Sequence, residues 1–214
     1  VNRILPFLLF ISISIQGYSQ NQNSAKEAIT KAYGIEHWEK VNEISFTFNV
    51  DRGDTHYERS FIWEPKTGKV TYIKGSDTLK YNHRNPKGEK EIAADQAFIN
   101  DKYWLLAPFQ LAWDSGITFS EVKKAKAPIS NKKLKKLTIT YPLQGGYTPG
   151  DAYDFYFDEN FIIQEWVYRE GNQDSPSMMN TWEDNKDVNG ILLSTMHKNS
   201  SGDFKLYFTN ISIK

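Results

Sequence analysis

Residues 93–114, reading AADQAFINDKYWLLAPFQLAWD, form an apolar, aromatic stretch of helical period set between two long blocks of strand-like alternation. Ala97, Phe98, Trp104, Leu105, Pro108, Phe109 and Ala112 recur at the spacing that gathers them on one face of a 3.6-residue repeat. Two features interrupt that face. Asn100 and Asp101 are polar and suit a helix cap, and Pro108 has no N–H to donate while pushing Ala107 off the α region. The stretch is therefore predicted as two or three short helices. A segment carrying Trp104, Phe109 and Trp113 can bury its apolar area only against a sheet face or a ligand, so its covering decides both fold and function.

The flanking blocks supply the sheet. Ile44, Phe46, Phe48 and Val50 alternate with Glu43, Ser45, Thr47 and Asn49, the pattern of a strand with one buried and one wet face. Tyr57, Arg59, Phe61 and Trp63 alternate next, and strands over residues 70–74 and 78–82 follow behind turns at Gly53, residues 65–68 and residues 75–77. Connections this short join antiparallel neighbours. After the centre, strands are expected at 117–124 and 135–141, flanking a lysine-rich loop that reads as a solvated, edge-blunting patch. A hairpin is expected over 152–158 and 161–169, a strand at 178–183, and two last strands at 191–198 and 204–214. Asn189-Gly190 is the dipeptide of a type I′ turn. Phe204, Leu206 and Phe208 are in step whereas Ile211 and Ile213 are not, which predicts a bulge near Asn210. At the other end, Ser24 and Glu27 match a capping box ahead of a helix that stops at Gly34, followed by a short turn over 36–41 that points Trp38 and Val41 the same way.

These elements define an α+β class: a curved antiparallel sheet of about ten strands, an open half-barrel, with helices packed on its concave face, because so many strands rarely stay flat. Arg3, the apolar run 4–15 and the small residues Gly17 and Ser19 match a secretory signal over residues 1–19, leaving 20–214 as a single domain. The run is too short to span a bilayer and no later stretch is long enough, so the chain is expected to be exported and periplasmic or secreted, not membrane-spanning. Basic and acidic residues balance at 26 each, so nothing in the overall field recruits nucleic acid. The absence of cysteine excludes disulfides, thiolate metal sites, a cysteine nucleophile and a lipidated N-terminal cysteine. His37, His56, His83 and His197 show no metal-ligand spacing, and no GxSxG, phosphate loop or dinucleotide fingerprint occurs, so neither metal nor cofactor is expected.

The order of N-terminal helix, meander, central helices and long second meander resembles the periplasmic lipoprotein-carrier superfamily of LolA and LolB. Phrases such as Tyr156-Phe157-Asp158 before a hairpin turn and Asp187-Val188-Asn189-Gly190-Ile191-Leu192 before the last strands carry what sequence echo there is. NDKYWLLAPF (100–109), GGYTPGDAYD (145–154), TWED (181–184) and GDFKLYFT (202–209) look like a further group of exported bacterial proteins. The resemblance implies an unclosed barrel with helices as a lid over an apolar cavity. It transfers no functional residue.

Together these point to a non-catalytic exported carrier or binding protein for a lipid, an acylated or another hydrophobic ligand of the cell envelope, with envelope proteins as further partners. Phe98, Trp104, Leu105, Phe109, Trp113, Phe155 and Phe157 are the candidates to line its cavity; the competing reading of each is plain core. Tyr147, Asp151 and Asp154 mark a polar loop which, with Glu165, supports an alternative, an exported hydrolase using a carboxylate cluster. The competing reading is turn caps and the wet face of a strand. A second alternative is an envelope scaffold with a filled core. An outer-membrane barrel is a third, but Arg59 would interrupt its lipid face and the helical centre has no place in such a wall.

Overall fold

Alternation becomes strand wherever one face meets the central helix. The computed structural model describes residues 24–144 and 148–214; the expected export signal and Tyr147 lie outside them. Helix α1 covers 24–32 and a 3-10 turn follows over Ile35–Lys40. A four-strand meander comes next: β1 (Ile44–Arg52), β2 (Thr55–Glu64), β3 (Lys69–Lys74) and β4 (Asp77–Asn82). After helix α2 (Gly88–Trp113) come β5 (Thr118–Phe119), β6 (Lys123–Lys126), β7 (Lys133–Thr140), β8 (Ala152–Phe157), β9 (Ile163–Arg169), β10 (Met178–Thr181), β11 (Glu183–Val188), β12 (Ile191–Lys198) and β13 (Phe204–Ile213).

The strands form two antiparallel sheets, β11-β12-β13-β1-β2-β3-β4 and β10-β9-β8-β7, with β5 and β6 both on the far edge of β7. They meet at a corner. The chain passes from β10 in one sheet to β11 in the other through Trp182, which is buried at the corner. Beside it His197 Nδ1 lies 3.1 Å from the Thr181 carbonyl, and the Lys198 N–H donates to Thr181 Oγ1 at 3.1 Å. The result is the expected open, curved antiparallel wall with α2 in its concavity. Among the described residues it has thirteen strands rather than about ten, for local reasons. The segment expected at 178–183 turns the corner at Trp182 and continues as β11, whose residues 184–187 are all exposed and so carry no alternation. The segment expected at 117–124 divides into β5 and β6.

The expectation of two or three short central helices is met in part, as two helical halves joined across a kink. α2 runs 26 residues and leaves helical geometry only at Leu106 (φ −120°, ψ 18°). Pro108, two residues on, supplies the reason: it has no N–H for the Trp104 carbonyl, and its ring crowds that carbonyl. Asn100 and Asp101 do not cap. Asp101 is fully buried in mid-helix and held by a two-pronged hydrogen bond from Arg59 on β2, so its polarity is met without ending the helix.

Other local signals appear in place. Asn189 and Gly190 both have positive φ, 56° and 83°, as a type I′ turn requires. Asn210 has φ 52° where the β1–β13 register shifts, the expected bulge. α1 docks at the end of the wall formed by the turns before β9 and β12. Tyr33 bridges the sheets there, accepting from the Leu192 N–H through its carbonyl and from the Ile163 N–H through its hydroxyl, both at 3.1 Å.

Candidate functional site

α2 is apolar nearly all round because it is covered on opposite sides by the two sheets. Phe98 meets Phe61 and Trp63 of the first sheet, with ring centroids 5.5 Å apart in each case. On the opposite side Tyr103 and Trp104 meet Trp166 of β9 at 5.9 and 4.5 Å. Below Trp104 the helix fills the space between the sheets, and Leu105, Leu106, Ala107, Phe109 and Leu111 are no more than 1% exposed.

Above that level the sheets diverge and the helix no longer fills the gap. A groove of about 650 Å³ remains there. One wall is the end of β1 and the start of β13, with Phe48, Val50, Arg52, Phe204 and Leu206, where Val50 pairs with Leu206 and Arg52 with Phe204. The facing wall is Tyr153, Trp166, Tyr168 and Met178 of β8, β9 and β10, with Thr148 at the rim. The floor is Gln96, Ile99, Asn100, Tyr103 and Trp104 of α2, positions at helical spacing that share one face.

The walls are electrically quiet. Arg52, exposed and lying over the Phe204 ring at 5.6 Å, is the one charged side chain among the described lining residues. Burial pushes the Tyr103 and Tyr153 phenols well above their ordinary value, so both stay neutral. Their neighbours are tied down as well: Tyr103 and Tyr141 share a hydroxyl contact of 3.2 Å, Tyr141 donates to Asp114 at 2.7 Å, and Tyr168 donates to Asp151 at 3.0 Å. A cleft with this lining offers much apolar area and few groups that demand a polar partner.

Of the seven cavity candidates read from the sequence, Trp104 lines the groove. Phe98, Leu105, Phe109, Phe155 and Phe157 sit in the core, and Trp113 is half-buried, stacked on Phe109 at 5.4 Å and against Trp38 at 4.6 Å. The groove residues that were missed, Ile99, Tyr103, Tyr153, Trp166, Tyr168, Met178 and Phe204 among them, share strand parity or helix face with recognised core positions. What sets them apart is their height along the wall. The polar-loop candidates go elsewhere: Asp151 accepts from the Gly171 N–H at 2.8 Å besides Tyr168, and Asp154 accepts from Thr138 Oγ1 at 2.6 Å with Lys136 Nζ 3.4 Å away. Glu165 accepts from the Ile129 and Ser130 N–H groups at 2.7 and 2.8 Å. All three carboxylates thus hold loops and strands in place. Among the described residues no group of three or more His, Cys, Asp or Glu is placed to hold a metal ion, and no helix is long and apolar enough to cross a membrane.

Fold and groove together define an open half-barrel with an apolar cleft beside its central helix. No family model matches the chain, and no curated protein matches it. Solved structures of similar shape include a DUF1329 family protein from Desulfovibrio piger, with TM-score 0.47 and 10% identity over 91% of this chain and 93% of that one. Another is a LolA superfamily protein from Nitrosomonas europaea, with TM-score 0.47 and 12% identity over 91% of this chain and 94% of that one. The resemblance read from the order of elements is thus met among solved structures as a likeness of overall shape; at TM-scores below 0.5 it carries no argument about ligand or activity.

Proposed function

We propose that this is a non-catalytic exported protein that binds the apolar chain of a lipid, an acylated molecule or another hydrophobic ligand of the cell envelope in the groove between α2 and the two sheets. The observation that carries this reading is the groove of about 650 Å³, walled by aromatic and aliphatic side chains and bearing a single charge at its rim. The volume falls within the roughly 300–1,000 Å³ usual for small-molecule sites. Each methylene that leaves water there contributes about 0.8 kcal/mol, so about ten would supply about 8 kcal/mol before ordering costs, without any charged anchor. A filled-core scaffold would not leave this space. The hydrolase alternative gains nothing from Asp151, Asp154 and Glu165, each engaged by its own structural partners.

The test uses the full chain expressed with its N-terminal segment intact. Protein recovered from the envelope fraction is expected to begin at Gln20 and to carry lipid detectable by native mass spectrometry and solvent extraction. An apolar fluorescent dye should bind the delipidated protein and bind Ile99→Glu or Trp104→Glu at least about tenfold more weakly, at unchanged secondary structure. Absence of lipid, with equal dye affinity in the folded variants, would end the proposal.

A further inference from the structure

Beside the rim of the groove lies a group of buried polar atoms that have no hydrogen-bond partner within the protein. A second cavity of about 390 Å³ adjoins the groove and shares Arg52, Met178 and Phe204 with it. Asn180 of β10 lines this annex, is 0% exposed, and neither Nδ2 nor Oδ1 has a hydrogen-bond partner within the protein. Directly across the ladder from Asn180 is Trp166, whose Nε1–H also has none. Trp182 Nε1 and His197 Nε2 are in the same condition, and these rings touch: Trp166 to Trp182 at 5.6 Å, Trp182 to His197 at 4.7 Å. His197 Nδ1 faces the Thr181 carbonyl and donates its proton there, and the Trp104 backbone also lies against this ring.

The rest of the fold shows how a buried amide is otherwise handled. Asn49, 3% exposed, has its side-chain amide within hydrogen-bond reach of the Thr47 carbonyl at 3.0 Å, the Tyr207 carbonyl at 3.2 Å and Thr209 Oγ1 at 3.1 Å. An unmet buried donor or acceptor is costly, and a cluster of them beside an open apolar cleft reads as a site made for a ligand's polar group.

Resting on the groove reading, we infer that the ligand carries, next to its apolar chain, a neutral head group that both donates and accepts hydrogen bonds, read by the Asn180 carboxamide and the Trp166 indole N–H. An amide-linked acyl chain or a glycerol hydroxyl beside an acyl ester supplies both functions. A simple ester offers only acceptors, which leaves Asn180 Oδ1 unmet.

Displacement of a bound apolar dye by three chain-matched probes tests this: hexadecanamide, 1-monopalmitoylglycerol and methyl hexadecanoate. The wild-type chain is expected to bind the amide and the monoacylglycerol about tenfold more tightly than the methyl ester. In Asn180→Leu, close in volume and unable to hydrogen-bond, that preference should shrink to within about twofold while affinity for the ester holds and the ligand-free melting temperature does not fall. Trp166→Phe, which keeps a ring and loses the donor, should lower the preference in part and gives a second reading if Asn180→Leu folds poorly. Equal binding of the three probes to wild type, or a preference that survives both substitutions, overturns the head-group inference and leaves the groove reading standing. Failure of all three to bind overturns both.

Discussion

Arg59 on β2 and Asp101 in the middle of α2 form a two-pronged ion pair across the interior of the half-barrel, with Nη2 to Oδ1 at 2.6 Å and the carboxylate fully buried. The guanidinium is sandwiched between rings, 5.4 Å from the centroid of Phe48 and 5.3 Å from that of Tyr57, and donates to the Tyr57 hydroxyl at 2.9 Å. Asn100, which lines the groove, donates to the same carboxylate at 3.0 Å. The pair fixes the rotation of α2 against the first sheet, and that rotation decides which helix face the groove receives.

Removing one member should therefore be far worse than removing both. Arg59→Ala strands a carboxylate that burial already pushes above its ordinary value, and is expected to cost about 3–5 kcal/mol of unfolding free energy. The double substitution Arg59→Met, Asp101→Leu should recover most of that loss, because two apolar side chains replace two desolvated charges. Chemical denaturation of Arg59→Met, Asp101→Leu and the double variant gives the coupling. A double variant as unstable as the sum of the singles would show that the pair is not the unit.

The same two residues show where the sequence was legible. Arg59 stands in an inward-facing alternation and Asp101 in an apolar helical stripe, so each looked like a separate defect, an interrupted face and a cap. Their complementarity across 42 residues becomes visible only when β2 and α2 are laid together. Signals contained within a few residues were readable: the Asn189-Gly190 turn, the bulge at Asn210 and the break near Pro108 are local backbone chemistry. β11 was not, because a strand exposed on both faces has no period. Nor was the groove. Phe155 and Tyr153 have the same parity on β8 and both are buried, yet only Tyr153 also lines the cleft, a difference set by where the packing of α2 stops and not by residue type.

His197 predicts a pH dependence. It is fully buried against Trp104 and Trp182, with ring centroids 5.4 and 4.7 Å away, and burial lowers its pKa to about 4 against the pull of the Thr181 carbonyl and of Glu183. A depressed pKa means that the neutral ring is favoured in the fold. The corresponding stability is whole above pH ~6.5 and is lost as pH falls toward 4, where the unfolded chain takes up a proton the folded one refuses. The difference is worth about 3 kcal/mol. Thermal unfolding at pH 7, 5.5 and 4.5 should show a steeper fall for wild type than for His197→Asn, whose amide can still donate to Thr181. Parallel curves would assign the acid sensitivity to other groups.

Gly34 and Gly53 both have positive φ, 84° and 56°, but differ in surroundings. A Cβ on Gly34 would lie 1.9 Å from the Gly190 carbonyl oxygen, whereas one on Gly53 meets nothing within 4 Å. Gly53→Ala should cost only the left-handed backbone penalty, about 1 kcal/mol. Gly34→Ala must in addition push α1 off the β11–β12 turn that it anchors through Tyr33 and Leu192, and should cost at least about 2 kcal/mol more. Comparable losses in the two variants would mean that the α1 contact yields without consequence.

The lysine-rich hairpin carries the last expectation. β6 and β7 set Lys123 opposite Lys136, Lys124 opposite Lys135 and Lys126 opposite Lys133. Lys135 has Glu159 at 2.5 Å and Lys136 has Asp154 at 3.4 Å, while Lys126 and Lys133 are both exposed and face each other across the strands. Like charges directly opposite destabilise a ladder, and β6 is an edge strand, where such a cost protects against pairing with another chain. Lys126→Glu converts the repulsion into an attraction and should stabilise the fold by about 0.2–1 kcal/mol at low ionic strength, a gain that shrinks as salt shortens the Debye length. The same substitution removes the positive guard, so the variant is expected to self-associate more readily at high concentration. Light scattering beside salt-dependent unfolding checks both halves, and a stabilised variant that remains as monodisperse as wild type would leave the lysines without a protective role at this edge.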